Sequence, residues 1–422
     1  MKKLMFSVAC LLLSISLVQA QTEPAATVYA VNTNVDMTTL SVLQNDEQPG
    51  RSKTFSRSFP ADQTDKVSLN NQFGSIVIKT WDRKEVKADI QIMAYSNNAE
   101  DAQKLLDEVG IDAGKAGDMI SFNTKIGDRN GNWGNGTRNG RKWRREVKIN
   151  YVVYMPAVNA LNVSQQYGNV TMGDFAAPLS AKVQYGNFQA GNLSNLNNNL
   201  NVQYGNTNVV QINKATIKHQ YGSGLTLGTV GSLNLTAQYV KADIKSITGD
   251  AVINQQYGEG LTLGTVGQLN LNAQYTKVRI QSVKRSANAI KIQYGGLEIG
   301  SIENLNLNSE YTGVTIANLT GSSNFKMQYN NLNVLHVSEG CKRLNLDVQY
   351  VNVGLNFADG YDANLDVQTS YGGFNHGNSV SARSINSDDD DSSTKNYTGK
   401  IGNGSSSNYV KVKSAYGSIT FK

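Results

Sequence analysis

The sequence predicts an all-β protein built as a solenoid of short strands stacked in coils of about 18 residues. Three observations predict it. A Gln-Tyr pair or its equivalent recurs, with the aromatic at Tyr167, Tyr185, Tyr204, Tyr221, Tyr239, Tyr257, Tyr275, Tyr294, Tyr311, Tyr329, Tyr350 and Tyr371, in steps of 17 to 21 residues. Around each tyrosine apolar and polar residues alternate, and the parity of the alternation reverses there. The composition, 39 Gly and 20 Tyr against five Pro, suits many short strands and tight turns, because Gly and Asn tolerate positive φ whereas Pro removes a ladder donor.

Each unit reads as strand, corner, strand, turn. Around Tyr275 the apolar or small set is Leu269, Leu271 and Ala273 before it and Val278, Ile280 and Val283 after it. Two-residue alternation marks a half-buried strand, and a parity flip marks a bend. The residue after Tyr is expected to be the corner, since Gly168, Gly186, Gly205, Gly222, Gly258 and Gly295 stand there, although Val240, Thr276, Thr312 and Val351 share the position. The tyrosines are expected to stack inward, with the preceding glutamines forming a second ladder facing outward. Such a unit buries its apolar face only against a neighbour. The alternative is an antiparallel meander of long strands with a period of 36; the parity flip, which would break a long strand, favours the solenoid.

The same rule finds a first coil at Phe73 and a last one at Tyr416. The chain divides into a signal peptide at 1–20, a loose segment at 21–53, an N-terminal β region at 54–160, the repeat array at 161–376, a polar acidic insertion at 377–408 and a closing coil at 409–422. The signal reading rests on Lys2 and Lys3, an apolar stretch from Leu4 to Val18 and the small residues of Val18-Gln19-Ala20. That stretch is too short to span a bilayer, and no later segment is apolar enough to be transmembrane. Cleavage removes two lysines, taking the net charge from +6 to +4, and leaves Cys341 as the single cysteine. Within the N-terminal region a capping helix is expected over 98–109, with Asn98 as N-cap and Ala102, Leu105, Leu106 and Val109 on one face.

The exported start, the run "SRSFPADQTDKVSLNNQFGSIVIKTWDRKEVKADIQI", a short helix, a "VVYMP" strand and serial "QYGN"-like units resemble the bacterial "putative adhesin" domains of unknown function, relatives of the auto-transporter adhesin head domain. The resemblance covers about residues 54–422 and implies a right-handed, single-stranded β-helix at the cell envelope or surface. It brings no catalytic residues. This chain has Gln-Tyr-Gly where related head domains often carry Gly-Ser-Gly at the corner.

No catalytic constellation, metal-ligand set or cofactor motif stands out. His219, His336 and His376 are far apart; His219 falls on an inward slot and reads as packed or hydrogen-bonded. The run Asp388 to Asp391 lacks the alternate spacing of a calcium loop and reads as solvated. A polysaccharide lyase or glycosidase needs clustered carboxylates, yet Asp243, Glu259, Glu298 and Glu310 fall at differing places in their repeats. The candidate binding element is a Gly/Asn-rich basic loop at 128–146. It carries Arg129, Trp133, Arg138, Arg141, Lys142, Trp143, Arg144 and Arg145 with no acid between Asp128 and Glu146. Arg and Trp interleaved suit an anionic polymer by charge pairing and stacking. For an exported chain that partner is envelope glycan or lipopolysaccharide rather than nucleic acid; another surface protein is the remaining partner class. The leading reading is an exported, non-enzymatic structural or adhesin-like protein, in the periplasm, at the outer membrane or on the cell surface.

Overall fold

The computed structural model of the chain describes residues 50–127, 134–385, 393–405 and 407–422. The array is a β-solenoid. The strand Leu179–Gln184 pairs in parallel with Ala160–Gln166 on one side and Asn198–Gln203 on the other, Leu179 lying beside both Leu161 and Asn198. The same parallel relation carries on from Thr207–Gln220 through Arg343–Phe357. Neighbouring strands are therefore one repeat apart, the period is 18 rather than 36, and the antiparallel meander is excluded. Inward residues such as Leu225, Leu227, Val230, Leu233, Leu235 and Ala237 are at most 3% exposed and stack in rows along the axis.

The corner differs from the sequence expectation in two respects. The residue with positive φ is the aromatic itself: Phe73, the twelve array tyrosines and Tyr416 all have φ between 49° and 60°. None of the glycines that follow has positive φ. A left-handed residue inside a strand turns two successive side chains to the same side. Thus Ala273 is buried, Gln274 half-buried, Tyr275 exposed and Thr276 buried again. The tyrosines accordingly stack outward, not inward. The glycine after Tyr answers to close approach instead: a Cβ on Gly186 would lie 1.9 Å from the Gly168 carbonyl oxygen one coil away.

Both ends of the solenoid are closed by intercalation. The strand Lys66–Gln72 lies between Ala160–Gln166 and Met119–Ile126, parallel to both, and Ile76–Thr80 pairs in parallel with residues 151–155, so Met119–Ile126 and residues 151–155 stack outside a coil that precedes them in sequence. At the other end Tyr409–Ala415 inserts in parallel between Arg343–Phe357 and Ala363–Ser370. The closing coil is thus an interior layer. Antiparallel strands cover the outermost layers: Glu85–Ser96 and Arg51–Pro60 at one end, Thr394–Ile401 and Val380–Ser384 at the other. The parallel edges of the coils are thereby covered, and the outermost strands, Arg51–Pro60 and Val380–Ser384, are edge strands carrying Arg51, Lys53, Arg57 and Arg383, charges that discourage pairing with another chain. Arg51–Pro60 starts inside the stretch expected to be loose, and the polar insertion contributes two of the covering strands.

The helix Ala99–Asp107 lies at the first end, with Ala102, Leu105 and Leu106 buried and Asn98 capping it by accepting from the Asp101 N–H at 2.8 Å.

Candidate functional site

The most regular surface feature is the corner itself. Fourteen rings stack face to face in the order Phe73, Tyr167 and on to Tyr350, then Tyr416 and Tyr371, with centroids 4.5–5.3 Å apart and planes within 2–11°. Thirteen steps of ~4.8 Å make a ladder about 62 Å long. The tyrosines are 38–64% exposed. Because each ring face covers its neighbour, the ladder offers solvent a comb of ring edges and hydroxyls, with Tyr371, at one end, the most exposed of the tyrosines at 64%. Desolvation first, then the neighbouring Tyr329 hydroxyl, lifts the Tyr311 phenol above its ordinary range.

A second ladder runs beside it. Gln166, Gln184, Gln203, Gln220, Gln238, Gln256, Gln274 and Gln293 each donate Nε2–H to the side-chain oxygen of the next coil at 2.6–3.2 Å, and the row ends on Glu310. These glutamines alternate with the inward residues and so face outward, as expected, and are half-buried by their neighbours in the row. Inside the corner, Gln165, His219 and Gln255 donate to the backbone carbonyls of Gly74, Gly205 and Val240 at 2.6–2.9 Å. His219 is fully buried, as its inward slot implied, and burial lowers its pKa while the Gly205 carbonyl opposes the shift.

The basic segment is a hairpin, not a loop, over its described part. Gly134–Arg138 pairs antiparallel with Arg141–Met155, joined at Asn139-Gly140 with φ of 51° and 73°. Asn-Gly between two strands is the two-residue turn whose positive φ values match strand twist. That dipeptide was the available signal. Arg129 and Trp133 lie outside the described residues. Arg138 and Arg141 face each other in the register at the hairpin tip, with Lys142 next along the strand. Trp143 is half-buried, its indole lying against Gly136. Arg144 is committed to the fold: its Nε–H donates to Glu146 at 2.6 Å and its guanidinium sits 3.8 Å over the Tyr95 ring. Arg145 is half-buried beside it. Of the expected residues whose side chains are described, Trp143, Arg144 and Arg145 are all half-buried at the base of the hairpin, while Arg138, Arg141 and Lys142 fall at its tip.

Among the described residues carboxylates are not gathered. Glu298 is held by Lys277 at 2.6 Å and Arg279 at 2.9 Å, which lower its pKa, and Glu310 terminates the glutamine row. Among the described residues no group of three or more His, Cys, Asp or Glu is placed to hold a metal ion, and no helix is long and apolar enough to cross a membrane. The acid run Asp388 to Asp391 lies outside the described residues.

No family model matches the chain, and no curated protein does. Solved structures do. A "putative cell adhesion protein" of Clostridium sporogenes matches at 10% identity over 88% of this chain and 99% of its own, with a TM-score of 0.19. A "putative adhesin" of Bacteroides fragilis matches at 15% identity over 63% of this chain and 96% of its own, with a TM-score of 0.24. Another from Parabacteroides merdae matches at 10% identity over 88% and 96%, with a TM-score of 0.19. At these scores the likeness carries no argument; these three solved structures are described as a cell adhesion protein and as adhesins.

Proposed function

We propose that the chain is an exported, non-enzymatic β-solenoid that acts as a structural or adhesin-like interaction protein of the bacterial cell envelope. The observation that carries this reading is the exposed ladder. Tyrosine is an unusual corner residue, because a left-handed conformation costs an L-residue roughly 1–2 kcal/mol. Asn or Gly meets the same φ at less cost. Repeating tyrosine at thirteen of the fourteen stacked corners sets out aromatic edges and hydroxyls at one strand spacing along the array, and tyrosine is a residue that interfaces favour. Identical weak contacts along a polymer or an ordered surface add through effective concentration. Because ring faces are occupied by stacking, recognition runs through edges and hydroxyls. Protease shaving of intact cells tests the location, and binding of the purified chain to isolated envelope fractions tests the interaction. A chain protected from protease and silent towards every envelope fraction sinks the reading.

A second reading has its own observation. The hairpin tip, with Arg138, Arg141 and Lys142 in neighbouring positions and Trp143 beside them, suits an anionic glycan or lipopolysaccharide. Binding there falls as salt rises, since exposed charges are screened within ~8 Å at physiological ionic strength.

A further inference from the structure

Where a glycine sits in the array, the neighbouring coil usually explains it. A Cβ on Gly228, Gly264 or Gly300 would meet a backbone carbonyl oxygen at 2.0–2.4 Å. Gly354, in the middle of the strand Arg343–Phe357, is different. Its φ is not positive, and the nearest atom to an added Cβ is the Asn333 side-chain oxygen at 3.2 Å. Neither backbone conformation nor backbone contact requires it. Glycine inside a strand weakens it by roughly 0.5–1 kcal/mol relative to alanine, and it often marks a place where a ligand approaches.

The register shows what the missing side chain opens. Asn331 lies beside Asn352, and Asn333 beside Gly354, which in turn lies beside Thr420. With Ser418 bonded to Asn352, and Leu335, Asn356 and Lys422 two residues further on, outward residues form a three-by-three grid with Gly354 at its centre. The grid lines an open surface notch of about 480 Å³, within the usual volume range for small-ligand sites. Its walls stand about 9.6 Å apart across the strands and about 13 Å along them. Asn352 accepts at its oxygen from Ser418 N–H and Oγ–H at 3.1 and 2.9 Å, which fixes that wall. The amides of Asn331, Asn333 and Asn356 have no hydrogen bond among the described residues, and all three are half-buried. Leu335, 53% exposed, supplies an apolar corner, and Lys422 is the one charged side chain.

We infer that the Gly354 notch is a binding site for a neutral sugar. A primary amide presents a donor and an acceptor side by side, which matches adjacent hydroxyls on a pyranose; Leu335 meets its C–H face. One lysine at a corner does not make an anion site, and six amide or hydroxyl groups do not make an apolar one. The notch lies several coils from Tyr239 to Tyr275 and at the opposite end of the stack from the basic hairpin, so it stands if either of those surfaces proves silent.

The test uses the full chain and saturation-transfer NMR with galactose, mannose, fucose and N-acetylglucosamine, followed by calorimetry on any that respond. At least one should bind, with affinity unchanged between low and high salt. Gly354→Thr, the residue type that Thr315 and Thr420 place in this row, should weaken binding at least about tenfold while the melting temperature holds or rises. Asn333→Ala should also weaken binding without unfolding the chain. No response to any of the four sugars, binding unaffected by both variants, or unfolding of Gly354→Thr, which would make the glycine structural, each overturns the assignment.

Discussion

Replacing Tyr257 by alanine and, separately, by glycine gives opposite rankings under the two ways of explaining the corner. Tyr257 stacks on Tyr239 at 5.1 Å and on Tyr275 at 5.0 Å, is 47% exposed, and has φ of 51°. Either change removes two stacking contacts, about 1–3 kcal/mol together. Either also removes about 100 Å² of buried ring, worth about 2.5 kcal/mol. Alanine should therefore cost about 3–5 kcal/mol, a range that allows for compactness of the unfolded chain. Glycine loses the same contacts but is relieved of the left-handed penalty, roughly 1–2 kcal/mol. It should be about 1 kcal/mol more stable than alanine, the reverse of the order in an ordinary strand. Urea denaturation of both variants measures the difference, with amide hydrogen exchange around the altered coil as a local check, because stacked repeats need not unfold in one step. Alanine equal to or more stable than glycine refutes the corner assignment.

Other consequences follow from the same geometry. Gly186→Ala should cost about 3 kcal/mol or more, since its Cβ would lie 1.9 Å from a backbone oxygen; a normal melt for this variant would show that adjacent coils can separate at the corner. Gln256→Ala breaks bonds to Gln238 and Gln274 of 2.9 and 3.2 Å and should cost about 1–3 kcal/mol at ~0.5–1.5 kcal/mol for each, measured by the same denaturation. His219 has a native pKa below its ordinary 6.5, so the unfolded chain takes up the proton first. Its stabilisation is complete above about pH 6.5 and is lost as pH falls through that value towards the lowered native one. His219→Gln, copying Gln165 and Gln255, should match the parent at pH 7.5 and lack this acid-side loss in a series of melts. Burial pushes the Cys341 thiol up to about 12, so a thiol reagent at neutral pH should label it only on unfolding; fast labelling of the native chain would mean that its coil opens.

Much of the fold is legible because a stacked repeat writes its period into the sequence. The rows through Leu269, Leu271 and Ala273 and through Val278, Ile280 and Val283 are buried in the structure as their alternation implies. The identity of the left-handed residue was hidden by the usual association of glycine with positive φ. The clue was the persistence of the aromatic while Val240, Thr276, Thr312 and Val351 replaced glycine after it. A residue needed for close approach can be replaced where neighbouring coils sit differently, whereas the ladder is interrupted by a single gap. The end closures were not legible, since strand pairing order over forty to ninety residues leaves no periodic trace; Tyr416 announces a coil but not that it lies between Tyr350 and Tyr371. The Gly354 notch was equally silent, because only the register shows which side chains surround a glycine.

The claim that the outward ladder is the interaction surface is tested most directly by changing Tyr239, Tyr257 and Tyr275 together to asparagine and measuring binding to isolated envelope fractions. Asparagine adopts the left-handed conformation more readily than most residues, so circular dichroism should show an intact solenoid. Binding should then fall sharply against the parent chain. Undiminished binding by a folded triple variant would contradict the claim and leave the tyrosines with a purely structural part.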